Sequence, residues 1–224
     1  MEHSEKCMMI PFLIIQTILY ALILTSVDSL LVWSSFGAIV LCFVYALWGL
    51  SADNALLVTG LFFTVLADFC LVVCSPIQQL WGMVFFLITQ SLYALQLRHM
   101  EKNKWITVTR FALVAVTEVA CVLVLRDKTD LLAMVSICYY ANLLMNAVSA
   151  FSHRKVSKIF PIALVLFILC DTVIGLQVAS AGYLPIREGS LLHSILFVDF
   201  NLAWLFYLPS QVLIALTARK HAKA

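Results

Sequence analysis

Four acidic side chains, Asp68, Glu118, Asp171 and Asp199, stand inside long apolar runs of this chain. An ionisable group near the centre of a bilayer costs about 2.5–3.5 kcal/mol to insert, so such groups usually face a polar cavity and serve a purpose. Two carboxyl groups sharing one low-dielectric pocket suit general acid/base hydrolysis, one donating a proton while the other activates water. They equally suit a proton- or cation-coupled transporter for a small solute, and spacing alone does not separate the two. Neutral polar residues join the acids at similar depth. Gln90 and Tyr93 fall in one run, and Asn201, Tyr207 and Gln211 in another. Tyr139, Asn142, Asn146 and Ser149, spaced by three, four and three, form a stripe on one helix face. Taken singly, such residues serve as interhelical hydrogen-bonding glue.

Other chemistries find less support. Of the five histidines only His193 can lie inside an apolar run, so no metal site and no cofactor is expected. No GxSxG elbow is present. The seven cysteines are odd in number and form no CxxC pair, which reads as small apolar packing residues. The net charge of +2 gives no reason to expect a nucleic-acid partner.

The elements that must carry these residues follow from composition. Of 224 residues 63% are apolar and 12% charged, against roughly a quarter charged in a soluble domain; the mean hydropathy is +1.03. A membrane-spanning helix needs about 20 mainly apolar residues. Such runs occur at 8–25, 29–48, 55–74, 80–97, 105–125, 131–151, 159–179 and 190–217. The expected fold is an all-α bundle of eight transmembrane helices forming a single transmembrane domain over 1–224. The first run reads as a retained helix rather than a signal peptide, because it lacks a small-residue cleavage site and more spans follow. Short loops on the side of the termini hold ten of the fourteen Lys and Arg residues, which places both termini in the cytoplasm. In that orientation Asp68, Glu118 and Asp171 lie about 12 or 13 residues in from the cytoplasmic end of their helices. Asp199 lies about nine in from the other end, so all four share a depth near the midplane at about 1.5 Å per residue. Arg110, near the cytoplasmic end of its span, is expected to snorkel outward. Pro209 inside the last span is expected to kink it unless a neighbouring helix satisfies the freed carbonyl. A weak echo between Phe63–Asp68 and Leu166–Asp171 is compatible with a parallel repeat of four spans.

Three segments resemble the YhhN-like lysoplasmalogenase family. Gly60–Val73 (GLFFTVLADFCLVV) is similar to its "GD…L" helix, and Phe85–Leu95 (FFLITQSLYAL) to a helix that usually reads "F…H…Y". Ala163–Gln177 (ALVLFILCDTVIGLQ) and Phe206–Ala218 (FYLPSQVLIALTA) resemble the "SD" helix and the terminal "YY..Q.LI.LS" helix. Ala67 replaces the usual Gly, Gln90 the usual His and Cys170 the usual Ser, while both aspartates are kept. The resemblance implies hydrolysis of the vinyl-ether bond of a lysoplasmalogen to a fatty aldehyde and a glycerophospho-headgroup. It implies Asp68 and Asp171 as catalytic acid and base, in either assignment. Asp199, Glu118, Gln90, Tyr93, Asn142, Asn146, Tyr207 and Gln211 become supporting or substrate-binding candidates. The partners implied are the lysophospholipid and the bilayer, with an apolar cavity open to lipid for the single chain and the headgroup left at the interface. The expected location is a bacterial cytoplasmic membrane, with an endomembrane as the alternative.

Overall fold

The computed structural model describes residues 2–25, 29–100, 104–126, 129–152, 157–182 and 186–221. Hydrocarbon offers a backbone N–H or C=O no partner, so an apolar run closes its hydrogen bonds on itself as a helix. The helices are α1 (Glu2–Thr25), α2 (Ser29–Leu47), α3 (Ala55–Asp68), α4 (Gln79–Met100), α5 (Lys104–Leu125), α6 (Leu131–Ser152), α7 (Ile159–Gly182), α8 (Leu191–Leu196) and α9 (Leu202–His221). A π-helical segment, Phe69–Val73, prolongs α3. Among the described residues there is no strand, and eight helices are long and apolar enough to cross a membrane. Their outer surfaces stay apolar, with Phe111 70% and Leu123 67% exposed. The chain is an integral multi-pass membrane protein of the all-α class.

The last span departs from expectation. Instead of one helix over 190–217, the chain forms the six-residue α8, breaks at 197–201, and starts its crossing helix at Leu202. Asn201 marks the restart, its side-chain oxygen accepting from the Trp204 N–H at 3.4 Å, as an N-cap residue does. The break keeps Asp199 outside the crossing helix, where it is exposed. A carboxylate there avoids the insertion cost that a continuous helix would impose.

Proline 209 lies inside α9 and has no N–H for the carbonyl of Leu205. That carbonyl accepts instead from the Tyr20 hydroxyl of α1 at 2.9 Å. The freed backbone group is therefore satisfied by a neighbouring helix.

Six helices close a ring in the order α2, α3, α4, α6, α7, α9, with α9 packing back on α2. Helix α1 lies outside, against α2 and α9, and α5 lies outside, against α6. The first half (α2, α3, α4, with α1 outside) and the second (α6, α7, α9, with α5 outside) thus follow the same neighbour order. Asp68 on α3 and Asp171 on α7 occupy corresponding helices. The α3–α4 contact is close at Gly60, where a Cβ would lie 2.3 Å from the Tyr93 ring; small residues allow such approach. The Thr89 hydroxyl of α4 donates to the Gly60 carbonyl at 3.1 Å across that contact. On the face that carries both termini, fully buried Asn54 donates to the carbonyls of Gly49 and Ala218 at 2.7 and 2.8 Å. This clasp ties the α2–α3 connection to the end of α9.

Candidate active site

Asp68 is the last α-helical residue of α3, and the π-helical segment starts directly after it. There the backbone closes one residue wider, the Cys74 N–H reaching the Phe69 carbonyl at 3.0 Å, a geometry frequent at functional sites. The Asp68 side chain is 3% exposed and accepts a hydrogen bond from the Tyr207 hydroxyl of α9 at 2.6 Å. Asp171, in the middle of α7, is half-buried and accepts from the Tyr139 hydroxyl of α6. Each carboxylate is therefore held by a tyrosine from a different helix.

The two pairs belong to one centre. The Phe86 ring of α4 lies 5.5 Å from the Tyr139 ring and 6.4 Å from the Tyr207 ring. Phe167 of α7 lies 6.4 and 5.4 Å from the same two rings. Phe86 and Phe167 contact each other at 5.7 Å, so four rings knit α4, α6, α7 and α9 together between the acids. All four are 5% exposed or less. Phe86 and Phe167 pack the space between the two tyrosines. A shallow groove elsewhere runs along α5 past Val116, Val119 and Leu123, all of them exposed to the outside of the bundle.

Toward the terminal face lies a layer of amides. Gln90, one helical turn beyond Phe86, is fully buried. Its backbone carbonyl and Oε1 accept from Asn146 Nδ2 of α6 at 2.8 and 2.9 Å. Gln211, one turn beyond Tyr207, is also fully buried, and neither of its amide atoms has a hydrogen-bond partner among the described residues. Tyr93 lies a further turn along α4, fully buried against Gly60.

Other candidates are not at this centre. Asn142 faces α5, where its Oδ1 accepts from Arg110 Nη1 at 3.2 Å. Arg110 therefore turns into the bundle instead of snorkelling outward. Glu118 is half-buried on α5, with Oε2 lacking a hydrogen-bond partner among the described residues. Asp199, expected at midplane depth, lies in the exposed 197–201 connection. Phe86 and Phe167 carry no polar signal in the sequence, though each precedes a candidate by four residues (Gln90 and Asp171) and so shares its helix face. Tyr139 stood in the α6 stripe without a role.

The arrangement places two carboxylates, each with one oxygen engaged by a phenol, in a water-poor interior where electrostatic interactions act strongly. That is a setting for one proton donor and one proton acceptor.

In comparison with known proteins, the pattern that defines the YhhN family fits residues 30–218. No curated protein and no solved structure matches the chain. The chain belongs to the YhhN family.

Proposed function

We propose that this YhhN-family membrane protein is a lysoplasmalogenase, cleaving the vinyl ether of a lysoplasmalogen with Asp68 and Asp171 as its acid and base. The carrying observation is the pair of tyrosine-held carboxylates, Tyr207–Asp68 and Tyr139–Asp171, around one aromatic cluster. The pattern match extends over both aspartates, and the family resemblance supplies the substrate. Both termini, in this proposal, face the cytoplasm.

The reaction fits such a pair. One carboxylic acid protonates the β-carbon of the vinyl ether, leaving an oxocarbenium ion on the carbon that bears oxygen. The other carboxylate takes a proton from water as the water adds to that carbon. The resulting hemiacetal collapses to a fatty aldehyde and the glycerophospho-alcohol, so one water is consumed per bond cleaved. Tyr139 and Tyr207 orient one oxygen of each carboxylate and leave the other for the chemistry. Holding proton donor, acceptor and substrate in this geometry removes an entropic part of the barrier. The apolar chain of the substrate lies against the aromatic cluster, and Phe86 and Phe167 move aside to admit it.

The test is aldehyde release by the purified protein in lipid nanodiscs supplied with a lysoplasmalogen. Wild type releases aldehyde, whereas Asp68→Asn and Asp171→Asn each lose it by ~100-fold or more, the scale of general acid/base catalysis. Full release by both folded variants would remove the proposed mechanism. A wild type that releases no aldehyde but takes up a solute along a proton gradient in proteoliposomes would make the acids part of a transport site.

A further inference from the structure

Arg110 is the one Lys or Arg among the described residues that sits inside a span away from its ends; Arg98 stands in the last turn of its span, and Lys104 and Arg219 at span termini. It starts six residues, about 9 Å, from the beginning of α5. Its guanidinium nevertheless reaches Asn142, ten residues or about 15 Å from the end of α6 on the same membrane face. The side chain is thus directed toward the membrane interior. What it meets there is neutral: Asn142 Oδ1 at 3.2 Å and the Asn142 carbonyl at 3.5 Å, both long for contacts of a cation. Among the described residues no acidic side chain hydrogen-bonds to it. A guanidinium kept in this setting has free donors in the planar fork that suits a phosphate.

Its position relative to the aspartates is specific. Asn142 lies one turn of α6 from Tyr139, whose hydroxyl holds Asp171. In a lysoplasmalogen the phosphorus is five bonds from the vinyl-ether oxygen, which spans roughly 6–7 Å for single bonds near 1.5 Å. Asp171 lies twelve residues, about 18 Å, from the start of α7. A vinyl ether brought to that depth draws its phosphate into the bundle, where an anion needs a cation.

We propose that Arg110 is the phosphate anchor of the lysophospholipid site, binding the headgroup phosphate in the α5–α6 seam and so setting the vinyl ether beside Asp171. This rests on the hydrolase reading and adds the feature that recognises the substrate as a phospholipid. It replaces a headgroup left at the interface with one drawn in beside α6.

The test uses binding, not turnover. A saturated 1-O-alkyl-glycerophosphoethanolamine, which has no vinyl bond to cleave, is titrated into nanodisc-held protein by calorimetry. The same-chain 1-O-alkylglycerol and inorganic phosphate serve as separate arms. Wild type is expected to prefer the phospholipid to the alkylglycerol by ~10-fold or more, the scale of one charge-assisted contact. Arg110→Gln abolishes that preference and leaves alkylglycerol affinity as it was, while Arg110→Lys retains part of it. Equal wild-type affinity for the two lipids overturns the proposal even if no variant folds. So does an Arg110→Gln protein that keeps the preference or loses both lipids alike. Inorganic phosphate binding as tightly as the phospholipid would reassign the site to free phosphate. Because the analogue is not a substrate, absent aldehyde release with intact phosphate preference would refute the hydrolase reading alone.

Discussion

Replacing Tyr207 by Phe removes a single oxygen from the candidate centre and leaves its shape in place. The ring keeps its contacts with Phe86, Phe167 and Trp204, at 6.4, 5.4 and 5.1 Å. What disappears is the hydroxyl that donates to Asp68 Oδ2 at 2.6 Å. Both partners are nearly inaccessible, Asp68 at 3% and Tyr207 at 5% exposure, so bulk water is poorly placed to replace the lost donor. A hydrogen bond to a charged group contributes about 1.5–3 kcal/mol, which is ~10- to 150-fold in a rate if the bond persists into the transition state. Asp171 is less enclosed, being half-buried, which leaves room for the single water that the proposed reaction consumes to stand in for the Tyr139 hydroxyl. Tyr139→Phe is therefore expected to lose less, about tenfold at most by the lower end of that range. The assay pairs initial rates of aldehyde release with thermal unfolding of the same nanodisc samples, so that loss of fold is separated from loss of chemistry. Wild-type rates for Tyr207→Phe would refute the reasoning, because Asp68 would then need no phenol to hold it. A larger loss for Tyr139→Phe than for Tyr207→Phe would refute the argument from burial.

Two further perturbations address the scaffold. Gly60→Ala places a Cβ 2.3 Å from Cε1 of Tyr93, a fully buried ring packed edge-on against Phe160 at 5.7 Å. The overpacking should cost about 1–3 kcal/mol, read as a lowered unfolding midpoint in detergent, and an unchanged midpoint would mean that α3 and α4 separate freely. Tyr20→Phe deprives the Leu205 carbonyl, already unpaired by Pro209, of its donor at 2.9 Å. A loss of about 1–3 kcal/mol is expected, and Pro209→Ala in the same background should restore most of it by returning the helical N–H. Failure of that rescue would separate the tyrosine from the proline.

The eight crossings were readable because each needs only a long apolar run, and lipid forces such a run into a helix whatever its neighbours are. Asp68 and Asp171 were readable for a related reason: a carboxylate inside an apolar run is costly wherever the helix rotates. Which neighbour a polar side chain meets is a different kind of information. Asn142 and Asn146 lie on one stripe of α6, four residues apart, yet one meets Arg110 of α5 and the other Gln90 of α4. Periodicity defines a face, and α6 presents that single face to two helices at once. Asp199 shows the complementary limit. Hydropathy averages over a window, and the leucines and isoleucine of Leu191–Leu196 carry the average across a break after which Asn201 caps the next helix. The aromatic cluster was hidden for the opposite reason, since phenylalanine in a membrane helix is ordinary wherever it points. Phe86 and Phe167 acquire meaning only from the ring order α4, α6, α7, α9, which brings residues 81 positions apart to 5.7 Å. The same ring order explains why Tyr207, at the far end of the chain, rather than a residue near Asp68 in sequence, holds that carboxylate. Closing the ring lets the first and second halves each contribute one aspartate to a shared centre. Tyr207 of the second half reaches across to Asp68 of the first, and α4 packs broadly on α6, so the centre exists only where the two halves meet.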